Sequence, residues 1–250
     1  MNKGERSELI IKLVLIHIRD NNSSTGPISS ISSVGLNGEY KSLPPNFNLN
    51  KLREYKNDQL FKLCNKIGVI KAPSRSKSDV YINGKGYSVK SLASAPPALV
   101  NHTTRPGFER ICKLTGVDIL HIDKLINNYW ELRINKEISE DIHNKNDKSP
   151  FVGERKLLEP VLNYFLFEGT GKYKSNFPAD YILDYRDPLD AMTWRVLDRN
   201  TALNNFWNKL IFSIRVKGMP KNFKNNESIV KWTREVNFKE SGALHIRSGV

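Results

Sequence analysis

Two short alternating segments around a glycine-rich turn constrain this chain more than any other feature. Asp79-Val-Tyr-Ile-Asn83 and Tyr87-Ser-Val-Lys-Ser91 each carry the two-residue period of a strand, and Asn83-Gly84-Lys85-Gly86 joins them. A two-residue loop with glycine first suits a tight hairpin, so Gly84-Lys85 is predicted as the turn, flanked by Asn83 and Gly86. That register sets Asp79 directly opposite Lys90 on one face. Ser88, two residues from Lys90, shares the face, while Val80, Ile82, Tyr87 and Val89 fill the other. An Asp and a Lys placed this way form either a surface ion pair, worth about 0–1 kcal/mol, or part of a site.

The flanking sequence supplies further elements. Glu5 to Arg19 reads as a helix that is apolar on most sides, with Leu9, Ile10, Leu13, Val14, Leu15 and Ile16, and is therefore expected to be buried. Glu5 and Glu8 lie near its start, three residues apart and on one face, where the helix dipole favours carboxylates. Residues 21–45 are rich in Ser, Gly, Pro and Asn and read as loop, with a short strand near Ile28–Val34. Asn50 to Ile67 reads as a second helix stopped by Gly68. Phe108 to Asn128 reads as two helices broken at Thr115-Gly116, residues 151–200 as mixed helix and loop, and Lys209 to Val216 as a strand. The spacing of Ile111, Ile119, Ile122, Leu125 and Ile126 fits a helix-turn-helix and fits any packed helical hairpin equally.

Charge narrows the class of partner. Lys and Arg number 39 against 26 Asp and Glu, a net charge of +13. Such an excess favours a polyanion, most simply nucleic acid. Residues 206–250 hold nine Lys and Arg against three Glu, marking the C-terminal stretch as a basic extension. No stretch reaches the roughly 18 consecutive apolar residues of a membrane span; Leu9 to Ile18 is interrupted by Lys12 and His17. Cys64 and Cys112 show no metal-ligand spacing, so a disulfide framework and a zinc ribbon are not expected and a reducing cytoplasm is. Phe167-Glu-Gly-Thr-Gly-Lys172 lacks the full phosphate-loop pattern, the five histidines are scattered, and no Gly-x-Ser-x-Gly is present.

An Asp on one strand and a Lys beyond a polar position on the next are the working parts of a metal nuclease. The carboxylate, with a second one, holds Mg²⁺ beside the scissile phosphate, and the Lys orients or deprotonates water and offsets developing charge. Ser78-Asp79 followed by Tyr87-Ser-Val-Lys-Ser91 resembles the core of the PD-(D/E)XK nucleases, specifically type II restriction endonucleases. Asn2-Lys-Gly-Glu5 is similar to the opening of the HpaII-like group, as are Gly86-Tyr-Ser-Val-Lys90-Ser91 and the Pro-containing segment Ala95-Pro-Pro-Ala-Leu-Val-Asn101. The resemblance covers roughly residues 1–105. It departs from the pattern at Ser78, where Pro is usual, and at Ser88, where the second carboxylate usually stands; a hydroxyl is a weak Mg²⁺ ligand. The resemblance implies that Glu5 or Glu8 compensates. Glu5 matches the HpaII-like opening, and Glu8, four residues after Gly4, has a spacing similar to archaeal Holliday-junction resolvases.

These readings give an α/β (α+β) fold with a restriction-endonuclease-like central mixed sheet. Residues 1–105 form the nuclease core, 106–150 a helical insertion, and 151–250 the remainder of the catalytic and DNA-binding domain. Asp79, Lys90, Glu5, Glu8 and Ser88 are the catalytic candidates. Asp79, Glu5 and Glu8 are the metal candidates. Arg75, Lys77, Asn101, His102 and Arg105 are candidates to contact DNA, and Lys172, Lys174, Arg186, Arg195 and Arg199 are possible groove residues. The expected activity is Mg²⁺-dependent cleavage of double-stranded DNA at a short site by a homodimer. A structure-specific junction or repair nuclease and a non-catalytic DNA-binding regulator are the alternatives.

Overall fold

The computed structural model describes residues 1–92, 99–100, 103–139, 141–214, 232 and 242–246; the side chains of 211–214 and 242–246 lie outside the description. In chain order the elements are α1 (Lys3–Asp20), β1 (Val34–Gly35), α2 (Asn57–Ile67), β2 (Val80–Ile82), β3 (Lys85–Ser91), α3 (Arg105–Thr115), α4 (Ile119–Ile134), α5 (Arg155–Asn163), β4 (Tyr181–Tyr185), β5 (Trp194–Leu197), α6 (Arg199–Trp207), β6 (Leu210–Ile214) and β7 (Gly242–Ile246). The chain is mixed α/β. One compact unit combines residues 1–94 with 175–199, and a second combines 95–174 with 200–250.

The first unit is built on a five-stranded sheet in the order β1-β2-β3-β4-β5. All neighbours are antiparallel except β3 and β4, which run parallel. A parallel pair needs a long crossover, and everything between Ser91 and Tyr181 supplies it. This topology draws β4 and β5 into the same unit as the hairpin. The unit therefore differs from the expected block 1–105, since its last two strands come from the stretch read as mixed helix and loop.

α1 is buried on nearly every side, as its composition dictates. It shares one apolar cluster with Leu60, Cys64 and Ile67 of α2 and with Val80, Ile82, Tyr87, Leu183, Tyr185 and Trp194 of the sheet. Asn2 and Glu5 start α1 with a capping box: Glu5 N donates to Asn2 Oδ1 (2.9 Å) and Asn2 N donates to Glu5 Oε2 (3.0 Å). The expected single helix over 50–67 is broken. A 3-10 turn covers Leu49–Arg53, and α2 begins only at Asn57. The Arg6 guanidinium holds the break open by donating to Leu52 O (3.0 Å) and Tyr55 O (2.6 Å). Gly68 ends α2 in the left-handed region, φ 79°.

The hairpin turn corrects the sequence register. Ile82 pairs with Lys85 and Val80 with Tyr87, so the turn residues are Asn83 and Gly84 rather than Gly84 and Lys85. Both have positive φ, 49° and 74°, the requirement of the hairpin turn that Asn-Gly favours most. The pairing shifts by two residues, so Asp79 is not opposite Lys90. An even shift preserves the alternation of faces, and Lys90 and Ser88 still share the face opposite the Val80–Tyr87 core. Asn83 also ties the preceding loop to the turn: Oδ1 accepts from Ser32 N (2.8 Å) and Ser33 N (3.1 Å), and Nδ2 donates to Ser30 O (2.8 Å). Asn83→Ala is expected to lower stability by about 1–2 kcal/mol through these bonds and the positive φ, measured by urea denaturation.

The second unit contains α3 to α6, a π-helical turn over Tyr164–Glu168 that continues α5, and the antiparallel pair β6–β7. The expected break between two helices is present: Gly116 caps α3 at φ 73° before α4 starts at Ile119. Most of the basic stretch 206–250 lies outside the described residues.

Candidate active site

Asp79 stands one residue before β2. Its N–H donates to Tyr87 O (2.8 Å), and its Oδ2 accepts from Val89 N (2.6 Å), so a backbone bond fixes the carboxylate against β3. Ser78 ties the approach to Asp79 to Phe177 and Pro178. Its N–H donates to Phe177 O (2.9 Å), a bond proline cannot make, and its hydroxyl donates to Pro178 O (2.5 Å). Gly86 is required beside it, because a Cβ there would lie 2.2 Å from Ser78 Oγ and 2.6 Å from Pro178 O. Burial raises the Asp79 carboxyl above the ordinary carboxylate range; Lys90 and Lys12 pull it back and Glu8 pushes it further up. Lys90, Glu8 and Lys12 are therefore each within electrostatic reach of Asp79.

The two candidate glutamates have separate environments. Glu8 Oε1 accepts from Lys12 Nζ (2.5 Å) and Ala72 N (2.8 Å), and Lys12 Nζ also donates to Ile70 O (2.8 Å). Lys12 is 0% exposed, so this is an anchored pair rather than a solvent contact. Glu5 completes the capping box and pairs with the half-exposed Lys71. Its carboxyl is held below the usual value by the Lys71 hydrogen bond first and the Asn2 backbone second. Glu8 influences Asp79; Glu5 is not among the groups that do.

Asp79 and Glu8 share a further property. One oxygen of each is committed to the scaffold, and the other, Oδ1 or Oε2, makes no hydrogen bond among the described residues. No cluster of three or more His, Cys, Asp or Glu side chains suited to a metal occurs among the described residues. Two carboxylates with a spare oxygen each nevertheless suit a hard dication such as Mg²⁺, which keeps several waters and often takes only one or two protein carboxylates.

Lys90, on β3, forms no ion pair among the described residues, while its charge acts on both Asp79 and Lys77. Ser88 is buried on the same face. Lys77 leads into Asp79, with its N–H donating to Phe177 O and Ser175 Oγ, each at 3.1 Å. Burial, reinforced by Lys90 and partly offset by Asp79, lowers its amine to about 7. Between that value and the ordinary lysine value of 10.5 the unfolded chain holds a proton that the folded chain has released. Stability therefore rises with pH through this window, by at most about 1.4 kcal/mol per pH unit from this group. Denaturation between pH 7 and 9 is expected to show the wild type gaining stability relative to Lys77→Met.

The remaining candidates are placed differently. Arg75 lies in an exposed turn, and Asn101 and His102 fall outside the described residues. Arg105 starts α3 with its guanidinium committed: Nε donates to Asp123 Oδ1 (3.0 Å), Nη2 to Asp123 Oδ2 (2.6 Å) and Nη1 to Glu109 (3.2 Å). It belongs to the second unit and is not brought together with the Asp79 group within one unit. Two groups escaped the sequence reading. Lys12 appeared only as an interruption of an apolar run, although Glu8 and Lys12 have the i,i+4 spacing of a helical ion pair. Asp184 went unremarked: it is fully buried on β4, in register with Lys90, and binds Arg195 through both oxygens.

No helix among the described residues is long and apolar enough to cross a membrane. No protein-family model matches the chain, and a search of curated proteins finds no match.

Proposed function

We propose that this chain is a Mg²⁺-dependent endodeoxyribonuclease of the PD-(D/E)XK kind, with a restriction-endonuclease-like sheet. On this reading it cuts double-stranded DNA at a short specific site, as type II restriction enzymes do, and works as a homodimer in the cytoplasm. One observation carries the reading. Lys90 of the hairpin and Glu8 of the buried helix both act electrostatically on Asp79, which leads into the mixed sheet.

The residues divide the work as follows. Asp79 and Glu8 would hold Mg²⁺ through the oxygens the scaffold leaves unused. Bound there, the ion would polarise the phosphate and lower the pKa of the attacking water. Lys90 places a cation against the phosphate oxygens and orients the water. Lys12 and Ala72 N hold Glu8 in place, and Val89 N does the same for Asp79. Glu5 serves the helix start instead. The basic excess of the chain supplies attraction for the duplex.

The test is digestion of plasmid DNA with Mg²⁺, followed by sequencing of the fragment ends. Discrete fragments with uniform ends support site-specific cleavage. The influence of Glu8, rather than Glu5, on Asp79 favours a second reading, because its spacing after Gly4 is similar to that of junction resolvases. Cutting of branched DNA with linear duplex spared would select that reading. Tight DNA binding without Mg²⁺-dependent cutting would select a regulator and reject both.

A further inference from the structure

Lys90, Asp184 and Arg195 form one row across three neighbouring strands. Lys90 is in register with Asp184, and Asp184 with Arg195. Residues paired in this way project from the same face, about 5 Å apart from strand to strand. Asp184 therefore stands between two cations, each with a side chain long enough to reach it. Its side chain is 1% exposed, and a buried carboxylate draws strongly on whatever cation can approach.

Among the described residues only one cation takes it. Arg195 Nε donates to Oδ1 (2.9 Å) and Nη2 to Oδ2 (2.6 Å), so both oxygens are occupied by one planar fork. The Arg195 side chain itself is 52% exposed, so the pair is closed on the Asp184 side and open on the other. Lys90 has no ion pair among the described residues, even though a fully buried carboxylate is its neighbour on the next strand.

We propose that Arg195 is a positioning residue for Lys90: by filling both oxygens of Asp184 it keeps that carboxylate from capturing the Lys90 ammonium, which stays available to a substrate phosphate. The inference deepens the nuclease reading and rests on it for the role of Lys90. A lysine in place of Arg195 does not suffice, because a point charge engages one oxygen and leaves the other to Lys90.

The experiment compares wild type, Arg195→Met, Arg195→Lys and the double variant Asp184→Asn/Arg195→Met, each first shown to be folded by circular dichroism and thermal melting. Two assays are run: Mg²⁺-dependent cleavage of a duplex, read as kcat with KM as a check, and reductive methylation of Lys90, read as a rate by mass spectrometry. Arg195→Met is expected to lower kcat by about 10- to 100-fold with KM little changed. It is also expected to slow Lys90 methylation by about tenfold, as a new carboxylate partner would. Arg195→Lys should fall in between, and the double variant should recover both quantities. A folded Arg195→Met protein with wild-type kcat and methylation overturns the proposal. So does a double variant as slow as the single one, since a purely structural ion pair gives no recovery of Lys90 reactivity. If the wild type cuts no DNA, the nuclease reading fails, and the methylation rates alone still decide whether Arg195 keeps Lys90 unpaired.

Discussion

Asp79→Asn is expected to abolish Mg²⁺-dependent cleavage while making the protein harder to unfold. The loss should reach about 10³-fold, equivalent to about 4 kcal/mol of transition-state stabilisation. An amide keeps an oxygen to accept from Val89 N and removes the charge needed for a metal. The gain in stability has a separate cause. Burial raises the Asp79 carboxyl pKa, and Glu8 adds to the effect, so the ionised form is disfavoured in the folded protein even with Lys90 nearby. A group with a raised folded pKa binds more protons folded than unfolded. Its contribution is therefore most favourable at low pH, below the unfolded value of 3.8, and is lost as pH rises through the folded value. At neutral pH the charge is a net cost, and the neutral amide relieves it. A rise in Tm of about 2–4 °C corresponds to about 1 kcal/mol in a chain of this size. Scanning calorimetry at pH 7 beside a plasmid assay checks both halves. A variant that loses stability together with activity would mark Asp79 as a structural residue.

Glu8→Gln and Glu5→Gln are expected to separate sharply. Glu8→Gln should lower cleavage by about 10²-fold and shift its dependence on Mg²⁺ to higher concentration. It also leaves the fully buried Lys12 ammonium without an anionic partner, at a cost of about 1–3 kcal/mol. Glu5→Gln keeps the capping box, because the amide oxygen can still accept from Asn2 N, and loses only a pairing with half-exposed Lys71. Its cleavage rate should stay within about twofold of wild type, the change expected of an exposed ion pair. Rates measured across a Mg²⁺ titration discriminate the two. Equal loss in both variants would mean that α1 contributes through its packing, not through Glu8.

The contrast between the glutamates shows what could be read from residues alone. The helix and the positions of Glu5 and Glu8 follow from apolar periodicity. What each carboxylate does depends on its partners, Lys71 for one and Lys12 and Ala72 for the other, and the longest of those contacts span 64 and 66 residues of chain. The hairpin shows a similar division. Alternation placed Ser88 and Lys90 on one face and Val80 and Tyr87 on the other, because face depends only on parity. The pairing depended on the turn, and there the positive φ of Asn83 decided for Asn-Gly. β4 and β5 escaped for a different reason. Tyr181-Ile-Leu-Asp-Tyr185 is a central strand with a charged residue in it, tolerated only because Arg195 neutralises Asp184 on the next strand. A parallel partner far along the chain leaves no local turn signal to reveal it.

The central claim is that Asp79, Glu8 and Lys90 form one Mg²⁺-dependent phosphodiester-cleaving site. The most direct measurement follows supercoiled plasmid with wild type and with Lys90→Ala, in Mg²⁺ and in chelator. The wild type should convert the plasmid to cut forms in Mg²⁺ and not in chelator, and Lys90→Ala should leave it supercoiled over the same period. Plasmid untouched by the wild type at every Mg²⁺ concentration, or cut equally fast by Lys90→Ala, would contradict the claim.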